Sequence, residues 1–134
     1  MATAVTVAGS LGVAAAGFLP WSRTGRSRSG LELARTLHEV GLAPGRPLGT
    51  LLVLFLFTPL LAAAVWIAAL TRRRLLVAML GTATGAVAVA AALLLRTSSL
   101  RTDEGGDVAM AAGLLAMAGA AVLAFLWRDE EGDR

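Results

Sequence analysis

The residues able to do chemistry in this chain are few, and most lie between Trp21 and Pro47. His38, the single histidine, stands next to Glu39 and on the same segment as Glu32. Histidine beside carboxylates can hold a metal or relay a proton, but a metal site needs three or four converging ligands and no second histidine exists. The reading is therefore no metal centre, with His38 solvated or facing headgroups. Arg23, Arg26 and Arg28 form a basic cluster, and guanidinium offers planar bidentate donors to phosphate. With Trp21 they are the candidate contacts to lipid headgroups or a partner; the simpler alternative is a solvated basic rim. The stretch from Gly25 to Gly30 follows an apolar run rather than a strand and lacks a Gly-Lys-Ser/Thr ending, so it is not a nucleotide loop. Cysteine is absent, which excludes disulfides and thiolate nucleophiles.

The elements around this loop are four apolar stretches without a charged residue, over about 2–19, 48–70, 75–95 and 108–127. A helix rises about 1.5 Å per residue, so roughly 20 apolar residues cross a hydrocarbon layer of ~30 Å. The expected fold is all-α: one membrane domain over 1–134, a polytopic four-transmembrane-helix bundle. Composition agrees, with 57% hydrophobic residues and a mean hydropathy of +0.74. All twelve basic residues are arginine, and with abundant Ala, Gly, Leu and Val this suggests a GC-rich bacterial genome. A pI near 11.3 points to nucleic acid only in a soluble domain. Beside apolar spans, arginines face anionic lipid, and no nucleic-acid partner is expected.

The first stretch is rich in Ala, Gly and Thr. Ala14-Ala15-Ala16 before Gly17 resembles a signal-peptidase site, but no basic residue precedes the apolar run, so the segment is expected to be retained. The second carries Thr58-Pro59 at its centre, where proline removes a donor and tends to kink a helix. Gly81 and Gly85, together with Ala112, Ala116 and Ala120, form small-residue rows at helical spacing, the candidate packing faces. They serve either the chain's own bundle or a partner helix. Trp21, Trp66 and Trp127 sit near span ends and read as interface anchors.

Within the first loop, Ser29-Gly30-Leu31-Glu32 fits a capping box. It should open a short amphipathic helix over about 30–40, closed by Gly41, with Leu33, Leu37 and Val40 on one face at the interface. The pattern Pro20-Trp21-x-x-x-Gly25-x-x-x-Ser29-Gly30-x-Glu32-Leu33 after a weak first span resembles a group of small actinobacterial four-span membrane proteins. The resemblance covers about fifteen loop residues plus the span layout and implies a Pro-Trp loop outside the cytoplasm. It implies no activity, cofactor or catalytic residue.

Orientation follows from arginine. Arg72-Arg73-Arg74 fills the turn between the second and third spans, which argues for a cytoplasmic turn and cytoplasmic termini. The total count runs the other way, with seven arginines in the first and third loops against five in the turn and tail. The contiguous cluster between two strong spans is given the greater weight. No acid, base or thiol lies within a span, which disfavours an ion-coupled pump or an intramembrane enzyme. The expected role is a non-enzymatic accessory, scaffold or assembly component of a membrane complex at a bacterial plasma membrane. Its partners would be the lipid bilayer and either a membrane protein or a second copy. The alternative is a small transporter or lipid-handling subunit using Arg23, Arg26 and Arg28 on phosphate headgroups.

Overall fold

A computed structural model describes residues 1–24, 26–29, 32, 54–97 and 104–132. The chain runs through helix α1 (Ala2–Ala16), strands β1 (Pro20–Thr24) and β2 (Arg26–Ser29), and helices α2 (Thr58–Leu70), α3 (Arg74–Thr97) and α4 (Glu104–Gly132). The fold is helical, with one addition to the sequence reading: the basic start of the first loop is an antiparallel β-hairpin. Among the described residues two helices are long and apolar enough to cross a membrane, over Arg74–Leu94 and Glu104–Arg128. The expectation of four such spans is met by two. The helix expected over 30–40 lies, apart from Glu32, outside the described residues, as do 48–53 at the start of the second stretch.

The two shorter helices have local causes. In α1 the chain tightens after Ala16, where the amides of Gly17, Phe18 and Leu19 donate to the carbonyls three residues back. That is a 3₁₀ turn, and Pro20 then disfavours helical backbone in the residue before it. The helix therefore stops short of the 2–19 boundary. In the second stretch a helical turn at Leu54–Phe55 gives way at Leu56–Phe57 before α2 begins. Pro59 occupies the first turn of α2, where no amide is required of it. The break is chemically closed: Pro59 cannot donate to the Phe55 carbonyl four residues back, and the Thr58 hydroxyl donates there instead at 2.7 Å.

Helix α4 runs antiparallel along both α1 and α3, and α2 packs on α1 and α3. At one end Val13, Ala16, Trp21, Phe55, Ala88, Ala91 and Ala109 form a core; at the other, Val65, Ala68, Val77, Ala78, Ala120 and Leu123 form a second. Glycines bring the backbones together between them. A Cβ on Gly9 would sit 2.5 Å from the Ala116 nitrogen, and one on Gly85 2.5 Å from the Gly113 carbonyl oxygen. Thr6 is held between Gly81 and Gly119, where a Cβ on either glycine would run into its side chain. Close backbone approach of this kind replaces the hydrophobic drive that helices lack in lipid.

Antiparallel packing also sorts the ends of the molecule. The start of α1, the turn Thr71–Arg73 and the end of α4 lie together, while the hairpin, Phe55 and the start of α4 lie at the opposite end.

Candidate functional site

The hairpin end is built around Trp21. Pro20 pairs with Ser29, Ser22 with Arg28, Arg23 with Ser27 and Thr24 with Arg26, with an irregularity between Pro20 and Ser22. An irregularity of this kind leaves Trp21 out of the ladder and free to re-aim its side chain. Its indole is 1% exposed and lies against Phe55, with ring centroids 4.7 Å apart at 58°. The indole N–H donates to the Ala16 carbonyl at 2.7 Å, capping the end of α1. Across the ring, Gly105 opens a place in the first turn of α4; a Cβ there would lie 2.7 Å from the Pro20 carbonyl oxygen. Trp21 thus joins α1, the hairpin, the Phe55 turn and α4. The readings of Trp21 as an interface anchor and as a headgroup or partner contact are corrected, because the side chain is enclosed by the fold. Trp66 and Trp127 remain exposed.

The capping box is present in both directions. The Ser29 amide donates to Glu32 Oε2 and the Glu32 amide to Ser29 Oγ, each at 3.3 Å. The hairpin carries Arg23, Arg26 and Arg28 in its backbone ladder, and their side chains lie outside the described set. His38 and Glu39 also lie outside the described residues, among which no three His, Asp or Glu side chains converge. On the far side of this end, Arg96 near the end of α3 pairs with Asp107 in the first turn of α4. Each charge lies where it favours its helix dipole.

Among the candidate packing residues, Gly81, Gly85, Ala116 and Ala120 are buried within the chain, and half-buried Ala112 meets α1 at Gly12. These small residues line contacts between α1, α3 and α4, so the face they form is internal.

The opposite end holds a feature that residue type alone did not signal. Helix α2 closes through Arg72, whose φ is 56°. The Arg73 amide donates to the Ala68 carbonyl at 3.0 Å and the Arg72 amide to Ala69 at 3.1 Å. This is a Schellman closure with arginine where glycine is usual. A left-handed backbone costs a non-glycine residue about 1–2 kcal/mol. An arginine triplet within a short connection was visible in the sequence; its left-handed residue was not, because ordinary C-caps of this kind announce themselves by glycine. Arg72, Arg73 and Arg74 are all exposed, and with Leu75, Leu76 and Trp127 they line a cavity of about 450 Å³.

Comparison of the chain with family models, curated proteins and solved structures gives no match.

Proposed function

We propose that the chain crosses a bacterial plasma membrane four times and acts as a non-enzymatic accessory or scaffold component of a cell-envelope membrane complex. The observation that carries this reading is the division between its surface and its interior. Every helix presents large apolar side chains outward: Leu11 on α1, Ile67 on α2, Met79 on α3 and Phe125 on α4 are each 45–67% exposed. Apolar exposure on all sides suits lipid and membrane partners.

Inside, the buried polar side chains among the described residues are Thr6, Ser10, Thr58 and Thr84. Each donates to a carbonyl three or four residues back: Thr6 to Ala2, Ser10 to Thr6, Thr58 to Phe55 and Thr84 to Leu80. Hydroxyls engaged this way are satisfied within their own helix and present no proton to a substrate. This supports a protein that works through its outer surface.

Length supports the four crossings. Helix α1 with its 3₁₀ turn to Leu19 measures about 28 Å at 1.5 Å per α-helical and 2.0 Å per 3₁₀ residue. The second stretch has 23 residues without a charge from Leu48 to Leu70, enough to cross even with its break at Leu56–Phe57. Placing the arginine turn in the cytoplasm puts both ends of the chain there and the hairpin outside.

The test is extraction of the tagged chain from its native membrane in lipid-retaining copolymer discs, followed by mass spectrometry and stoichiometry. A membrane-protein partner or second copy at fixed ratio is the expected result. Recovery as a single chain with lipid alone would overturn the accessory reading.

A further inference from the structure

We propose a binding site for one anionic phospholipid at the arginine-turn end, with its headgroup at Arg72 and Arg74 and an acyl chain between α1 and α2. Two adjoining cavities define it. The smaller, about 240 Å³, is lined by Thr3, Arg72 and Arg74 together with Ala69 and Val77. The larger, about 570 Å³, is an apolar groove with Ala4, Val7 and Leu11 on one wall and Trp66 and Leu70 on the other. Thr3 and Ala69 line both, so the cationic pocket lies next to the groove.

A pocket with two guanidiniums and a hydroxyl next to an apolar trough has the polarity of an anionic amphiphile. Guanidinium is suited to phosphate oxygens, and Thr3 adds a hydroxyl donor. From Thr3 to Leu11 the groove follows eight residues of α1, about 12 Å at the helical rise, long enough for much of one acyl chain. A free phosphate fits the smaller cavity but leaves the groove without an occupant of its own kind. Depth agrees as well: Arg72 lies just past the end of α2 and Arg74 opens α3, while Leu11 and Trp66 lie further into the apolar part of the molecule. Arg72 also occupies a backbone conformation that glycine adopts more easily, and a phosphate contact accounts for an arginine there.

The site lies at the opposite end from Arg23, Arg26 and Arg28 and does not depend on the accessory reading. The purified full-length chain is titrated with short-chain phosphatidylglycerol or phosphatidylcholine in detergent, with bound lipid counted by native mass spectrometry. One phosphatidylglycerol is expected to remain bound, in preference to phosphatidylcholine. Arg72→Gly should weaken it roughly fivefold, as expected for one arginine near an anionic headgroup. The same variant should melt no lower than the parent, because glycine relieves the left-handed backbone. Ala8→Phe, which fills the groove, should also weaken it while leaving the charge intact.

Three results would overturn the proposal. The first is equal loss of lipid in an R23Q/R26Q variant, which removes charge at the other end. The second is full competition by inorganic phosphate with no effect of Ala8→Phe, the signature of a free-phosphate site. The third is equal retention of phosphatidylcholine.

Discussion

At the scale of single residues, the structure is held at several points by side chains that donate to backbone carbonyls. Thr58 is the clearest. Pro59 leaves the Phe55 carbonyl without its helical donor, and the Thr58 hydroxyl takes that place inside the protein, where the threonine is fully buried. A buried carbonyl left unpaired costs about 1–3 kcal/mol, whereas a serine in place of the threonine keeps the bond. Thr58→Val should therefore lower the thermal midpoint in detergent clearly, while Thr58→Ser should change it little. Equal effects of the two would show that the hydroxyl is dispensable. Trp21 adds a second donor to the Ala16 carbonyl, which already accepts from the Leu19 amide, and its burial explains why placement near a span boundary misled the sequence reading. An indole at a helix end fits equally well at a wet interface or over one of the helix's last carbonyls.

At the scale of elements, packing is decided by where backbones touch. The contact of α3 with α4 at Gly85 and Gly113, and of α1 with both at Thr6, leaves no room for added carbon. Gly81→Ala should cost about 1–3 kcal/mol through overpacking against Thr6, and Gly85→Leu should cost more because the obstacle is the backbone carbonyl of Gly113. Thermal melts of the purified chain check both, with Gly106→Ala as the reference, since a Cβ there meets nothing within 4 Å. Melts unchanged from the parent at Gly81 and Gly85 would place the helices farther apart than described. The same geometry means that Gly85→Leu reports on the fold before it reports on any partner. The exposed pair Arg96–Asp107 should contribute little, about 0–1 kcal/mol, and serves chiefly to place the start of α4 against the end of α3.

For the whole molecule, the decisive question is which ends share a side. The start of α1, the arginine turn and the end of α4 are gathered at one end, and the hairpin at the other. Because the chain has no cysteine, single cysteines can report on this directly. In intact cells a membrane-impermeant maleimide should label Ser27→Cys, and should label Thr71→Cys only after permeabilisation. Labelling of both from outside would remove the proposed four-span arrangement, and the reverse pattern would invert it.

Composition and patterning alone established that the chain is helical, rich in apolar segments and free of thiol chemistry. Charge-free runs of aliphatic residues leave few other ways to satisfy a backbone. The reciprocal Ser29–Glu32 cap was equally legible, because the two residues that make it stand three apart in the sequence. Other features were not legible. The start of the arginine-rich loop became a hairpin and the second stretch broke before Pro59, both by local contacts, whereas the inward turn of Trp21 and the use of the glycine rows within the chain depended on residues distant in sequence. A residue's type states which contacts it can make, but which contact it does make depends on what another helix brings to it. Trp21 is buried because Gly105 leaves space for its ring, and Gly81 must be small because Thr6 occupies the space beside it. Those pairings exist only once the helices have packed.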